Sequence, residues 1–145
     1  MNYPSTEDEY NALSERIIGA AIEVARTLGP GLLESVYEAC LVEELQQRGL
    51  RVEQQVRLPL VYKGKTLSKE FIIDLLVEDT IIVELKAVDA LTGLHAAQVK
   101  TYLQLANKRL GLVLNFNVEV LTKQGLKRVV NNFFRNWSGL NIGVF

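Results

Sequence analysis

Asp74, Glu84 and Lys86 sit inside FIIDLLVEDTIIVELKAVDA, residues 71–90, a stretch otherwise rich in Ile, Leu and Val. A buried charge is costly without a partner, a ligand or a chemical task. Side chains alternate along a strand, so Glu84 and Lys86 project from one face beside Ile82 and Val88, with Asp74 on the neighbouring strand. Two carboxylates and an ammonium on one sheet face make a hard oxygen site for Mg²⁺ or Mn²⁺ with a lysine beside it. Phosphodiester hydrolysis uses such a set, because the metal polarises the phosphoryl oxygen and acidifies an attacking water. Lys86 would orient that water or neutralise the developing charge. From the D-x9-E-x-K spacing alone, a structural ion pair between Lys86 and one acid stands level with the catalytic reading.

Register separates these readings. A two-residue turn at Glu78–Asp79 would set Asp74 against Val83 and aim its carboxylate away from Glu84. A metal site therefore requires a three-residue loop, Glu78 to Thr80, or a bulge, so that Asp74 stands opposite Glu84.

Further polar residues fall where such a site would use them. In GPGLLESVYEA, Glu34 follows a glycine-rich turn at the start of a helix, where a carboxylate is favoured by the dipole. A plain helix-start acid is the alternative. In LHAAQVKTY, Gln98 and Tyr102 are four apart on one helix face just beyond E-x-K. His95 reads first as a surface residue at a helix start and second as a proton-transfer group. Tyr37 reads as packing beneath Glu34. Phe133, Phe134 and Trp137 are read as core or subunit-contact aromatics before base-stacking ones. Cys40, alone in the chain, reads as a small buried hydrophobe.

The elements that must position these residues follow from periodicity. Leu13, Ile17, Ala20, Ala21, Val24 and Leu28 make a helical stripe over residues 7–28, capped by Ser5 or Thr6 and ended by Gly29-Pro30. A second helix begins near Leu33 or Glu34 and stops at Gly49, with Val36, Cys40, Leu41 and Leu45 inward. Period-two segments at 51–62, 66–77 and 80–88, with turns at Lys63–Lys65 and near Glu78–Asp79, predict a meander. Residues 92–107 return to helical spacing through Leu94, Ala97, Thr101 and Leu105. The uniformly apolar run at 110–116 predicts a strand buried on both faces. Residues 125–134 predict a last helix with Leu126, Val129, Val130 and Phe133 inward. Crossover handedness makes strand 110–116 parallel to strand 80–88. The expectation is an α/β fold with a mixed sheet flanked by helices.

At 145 residues, 48% hydrophobic and 23% charged, the chain is expected to be one soluble domain spanning 1–145. No apolar run reaches the length of a membrane span, and the acidic start MNYPSTEDEY is no signal peptide, so a cytoplasmic location is expected. Net charge is −1, which argues against non-specific coating of nucleic acid. Its distribution is uneven: ten acids and four bases in residues 1–55, seven acids and twelve bases in 56–145. A polyanion-binding face is thus expected from the second part, among Lys63, Lys65, Lys69, Lys100, Lys108, Arg109, Lys123, Lys127, Arg128 and Arg135. Solvated surface charge is the alternative for each.

Taken together, Gly31, Glu34 and Tyr37 in GLLESVY, the Asp74–Glu84–Lys86 hairpin, Gln98 and Tyr102 in AAQVKTYLQL, and GLVLNFN resemble the GxxExxY proteins, a branch of the PD-(D/E)xK nuclease superfamily. The resemblance spans roughly residues 10–131, and the joint, ordered occurrence of these motifs is far more specific than any one of them. It implies a restriction-endonuclease-like core and a metal-dependent nuclease. It also implies Glu34, Asp74 and Glu84 as ligands of Mg²⁺ or Mn²⁺, Lys86 as the catalytic lysine, and Gln98 and Tyr102 as part of the catalytic set. The expected partner is nucleic acid, DNA ahead of RNA, with a homodimer or a protein partner to help a small domain hold it. A nucleic-acid-binding or assembly module that keeps the fold but cleaves weakly is the alternative.

Overall fold

A computed structural model describes residues 3–132 and 134. The first helix, α1 (Glu7–Leu28), starts where the cap was expected: Thr6 accepts a hydrogen bond from the Glu9 amide, and three acids occupy the first turn. Its stripe of Leu13, Ile17, Ala20, Ala21 and Val24 is buried. The second helix, α2 (Glu34–Gln47), packs beside it. Of the residues expected to face inward, Leu41 and Leu45 are fully buried and Cys40 is half-buried, but Val36 is exposed. Tyr37 takes the inward position instead, because the buried face runs through 37, 41, 42 and 45.

The strands β1 (Val52–Tyr62), β2 (Lys65–Val77) and β3 (Ile81–Lys86) form the expected antiparallel meander. After α3 (Gly93–Ala106), strand β4 (Leu110–Asn115) runs parallel to β3, with Glu84 beside Val113. Every residue of β4 is buried. Such a strand needs partners on both edges, and this need overrides the expected last helix. Residues 121–124 form a single turn, α4 (Leu121–Gln124), and Leu126–Val130 is a strand, β5, antiparallel to β4. Leu126, Val129 and Val130 fit helical spacing, yet Leu126 and Val130 pack on one face of the sheet and Val129 on the other. Phe133, Arg135 and Trp137 lie outside the described residues.

The sheet order is β1-β2-β3-β4-β5. One face, with Leu75, Val77, Ile81, Val83 and Leu85, is covered by α1 and α2. The other, with Ile73, Leu76, Ile82 and Val113, is covered by α3. The buried stripe of α3 is Val99, Tyr102 and Leu103, whereas Leu94, Ala97, Thr101 and Leu105 face outward. Gly111 lets α3 lie close, since a Cβ there would stand 2.6 Å from Val99 Cγ1. Two of the expected surface bases are not free for a polyanion. Arg109 is 2% exposed, and Lys108 Nζ bonds the Asp79 carbonyl at 2.8 Å and its carboxylate at 3.2 Å.

Candidate active site

The turn between β2 and β3 is the three-residue loop that the metal reading required. Val77 pairs with Ile81, Leu76 with Ile82 and Leu75 with Val83, which carries the register on to Asp74 opposite Glu84. Glu78 and Asp79 both take left-handed backbone (φ 52° and 50°), and the Thr80 amide donates to the Val77 carbonyl at 3.0 Å. Such backbone is uncommon outside glycine, and here it is held by side chains. The Glu78 carboxylate accepts from the Arg51 amide at 2.7 Å, and Asp79 accepts from Tyr3 and Lys108.

At Asp74 and Glu84 the strands exchange side-chain bonds. The Asp74 amide donates to Glu84 Oε1, and the Leu85 amide donates to Asp74 Oδ2, both at 2.9 Å. Each carboxylate is thereby fixed by the other strand's backbone and has a second oxygen beyond these bonds. Across from Asp74, Gln55 of β1 takes left-handed backbone (φ 52°), and the pairing skips this position between Gln54–Leu75 and Val56–Ile73 without a change of register. Here β2 also changes sides: Ile73 packs under α3, while Leu75 packs under α1 and α2. Asp74 occupies the crossing point.

Glu84 is 3% exposed. Burial, and next the charge of Asp74, push its carboxyl up to about 8. Lys86 pulls the other way and donates from Nζ to Gln98 Oε1 at 3.4 Å. Tyr102, buried against Phe71 with ring centroids 5.8 Å apart, has its phenol pushed up by burial and by the charges of Glu84 and Asp74. The sheet face and α3 thus bring Asp74, Glu84, Lys86, Gln98 and Tyr102 into one neighbourhood.

Glu34 enters from the opposite layer. It is the first residue of α2, exposed, with its carboxyl raised by partial burial and then by Asp74 and lowered by Lys86. The loop before it is held from beneath. Tyr37, one turn into α2, donates from its hydroxyl to the Gly29 carbonyl at 2.6 Å, accepts from the Leu32 amide at 3.2 Å, and stacks on Phe116 at 4.8 Å. Gly31, at φ 97°, donates its amide to Asn117 Oδ1 at 3.1 Å. Asn115, fully buried, receives the Val88 and Asn117 amides on Oδ1 and donates to the Val88 carbonyl. The two asparagines therefore lock the entrance of α2 to the ends of β3 and β4. Tyr37 packs as expected and belongs to this lock.

Sequence reasoning missed one acid. Glu38, four residues after Glu34 on the same helix face, has its carboxyl raised by burial, by Asp74 and by Glu34, and accepts from Gln55 Nε2 at 2.9 Å. The E-x-x-x-E spacing was its available signal. Asn115 and Asn117 were also missed, although a polar N-x-N after an all-apolar strand announced them. His95 caps α3: its Nδ1 accepts from the Thr92 amide at 3.0 Å.

Among the described residues, no three acid, histidine or cysteine side chains close on a point that would hold a metal ion. The donor set nevertheless suits a hard cation. Asp74 and Glu84 are adjacent carboxylates whose mutual repulsion a divalent ion would relieve, and Glu34 and Glu38 add acids at the rim.

A mixed five-stranded sheet flanked by helices, with a D-x9-E-x-K hairpin at its centre, defines a restriction-endonuclease-like α/β protein. A model of the PD-(D/E)XK nuclease superfamily matches residues 11–129, and the chain belongs to that superfamily. Searches of curated proteins and of solved structures found no match.

Proposed function

We propose that the chain is a divalent-metal-dependent nuclease of the GxxExxY branch that hydrolyses phosphodiester bonds of DNA. The register of the β2–β3 turn carries this reading, because it sets Asp74 against Glu84 with Lys86 two residues beyond. Asp74, Glu84 and Glu34 are the carboxylates that would hold Mg²⁺ or Mn²⁺. Bound there, the ion would polarise the scissile phosphate and acidify the attacking water. Lys86 neutralises charge that develops on the phosphoryl oxygens, and Gln98 holds its ammonium by accepting from it. Tyr102 closes the floor of the site against solvent and lies in the field of both acids.

The test is cleavage of single-stranded, duplex and branched DNA by purified protein in Mg²⁺, Mn²⁺ or EDTA, with Asp74→Ala and Lys86→Ala beside wild type. Metal-dependent cleavage lost in both variants is the expected result. Wild type that neither cleaves nor gains thermal stability from either metal overturns the reading. One observation favours a module that binds nucleic acid and cleaves weakly: Glu34 stands exposed, and among the described residues it does not close on one point with two other acids. Binding without metal-dependent turnover in the same assay would establish that alternative.

A further inference from the structure

The β1–β2 ribbon extends beyond the body of the protein. β3 pairs with β2 only from Leu75 to Val77, so among the described residues positions 65–73 of β2 have β1 as their one neighbour strand. Every residue from 61 to 70 is exposed. The tip is a tight turn at Lys63-Gly64, both with left-handed backbone (φ 50° and 78°), closed by the Tyr62–Lys65 pair. A projecting two-stranded ribbon gains little from burial, so the fold itself gives no reason for its length.

Its charge does give one. Between Val56 and Phe71 the ribbon carries Arg57, Lys63, Lys65 and Lys69 against a single acid, Glu70. Glu70 is taken by Arg57 at 3.6 Å. Lys63, Lys65 and Lys69 enter no ion pair among the described residues. Lys63 Nζ lies 5.4 Å from the ring of Tyr62, which is 60% exposed. The ribbon is also continuous with the candidate site, since its root is the left-handed Gln55 and the strand step that bears Asp74. Seven residues of strand from that root span about 20 Å. A two-stranded ribbon fits the major groove of a duplex, and at about 3.4 Å per base pair this reach covers roughly six pairs.

We infer that the β1–β2 ribbon is an arm that grips the phosphate backbone of duplex nucleic acid beside the bond to be cut, with Lys63, Lys65 and Lys69 as its contacts. The inference rests on the nuclease reading for the identity of the polyanion. It supplies the grip that a chain of net charge −1 otherwise lacks.

The experiment is binding of a labelled 25-base-pair DNA duplex in EDTA across a salt series, for wild type and for the triple variant Lys63→Gln/Lys65→Gln/Lys69→Gln. The variant is expected to bind at least about tenfold more weakly near physiological salt, and its log–log salt slope should be shallower by roughly 2 to 3. A triple Lys→Arg variant, which keeps the charge, should restore both and so exclude misfolding. Hydrolysis of bis(p-nitrophenyl) phosphate in Mn²⁺, a substrate too small to reach the arm, should be unchanged. Equal affinity and slope for wild type and the glutamine variant overturn the arm, as does a wild type that fails to bind the duplex. A glutamine variant whose weaker binding tracks a changed elution volume also overturns it, because the arm is then a self-association element. Failure of wild type to hydrolyse the small diester, with arm-dependent binding intact, would sink the nuclease reading and leave the arm standing.

Discussion

The two halves of the acidic cluster are held in different ways. Asp74 and Glu84 each accept a main-chain amide from the opposite strand, within a sheet whose register is set by a three-residue turn. Glu34 and Glu38 project from the first turns of α2, and what is fixed there is the loop beneath them, through Tyr37, Asn115 and Asn117. Both strand acids are held rigidly, and burial makes Glu84 costly to keep charged. The helix acids are more exposed than Glu84, and burial raises their carboxyls as well. Rigid strand carboxylates suit the part of a site that sets geometry, and a helix-end carboxylate suits the part that adjusts to what is bound.

Removing a strand acid should therefore have the largest effect. Asp74→Asn keeps an oxygen that can accept from the Leu85 amide, so the fold should survive and metal-dependent DNA cleavage should fall by about 10³-fold or more. Glu34→Gln, at the adjustable half, should cost about ten- to a hundredfold, and mainly as a higher Mg²⁺ requirement. Cleavage titrated with Mg²⁺ measures both. Equal losses at saturating metal would erase the contrast between the halves.

Tyr37→Phe tests the lock under the helix acids. It strips the hydrogen bond from the Gly29 carbonyl and from the Leu32 amide, at a cost of about 1–3 kcal/mol, read as a lower melting temperature. If Tyr37 also positions Glu34, the half-saturating Mg²⁺ concentration should rise several-fold while the rate at saturating metal stays near wild type. A loss of stability with an unmoved Mg²⁺ requirement would leave Tyr37 as packing alone.

The pH dependence of the metal-free protein follows from Glu84. Its folded-state carboxyl is raised from the ordinary 4.5 to about 8 by burial and by Asp74, so folding favours the protonated acid. That contribution is complete below about 4.5 and is lost as pH rises through about 8. In EDTA the melting temperature should fall from pH 5 to pH 8, and Glu84→Gln should flatten the fall. Mg²⁺ should recover stability at the alkaline end, where Glu84 loses its proton. A melting temperature that instead climbs over this range would contradict the strained state of the strand pair.

Much of this organisation was legible in the sequence where one residue pattern allowed one answer. The stripe of α1 and the uniformly apolar β4 left no competing reading, and the opposition of two acids left only a three-residue turn or a bulge. Errors arose where a segment carried two apolar patterns. In α3 one set of helically spaced residues runs through Leu94 and Leu105 and another through Val99, Tyr102 and Leu103. Spacing alone does not say which one meets a sheet. In β5 the pair Val129-Val130 serves a strand because β4 has a free edge, a fact about a distant segment. Glu38 and Gln55 were hidden for a related reason: their meeting goes with left-handed backbone at Gln55, with no glycine to announce it.

The smallest effect should fall on His95, the remaining candidate for proton transfer. Its Nδ1 accepts from the Thr92 amide, so the ring is committed to the first turn of α3, on the helix that also carries Gln98 and Tyr102. A capping bond of this kind is worth about 1 kcal/mol. His95→Asn supplies another acceptor and should change neither stability nor cleavage measurably. His95→Ala should lower the melting temperature by a few degrees and leave the pH profile of cleavage unmoved. Loss of an acidic or neutral limb from that profile in His95→Ala would move the histidine from the scaffold of α3 into the chemistry, and would mean that the site extends past Lys86 and Gln98 to the helix start.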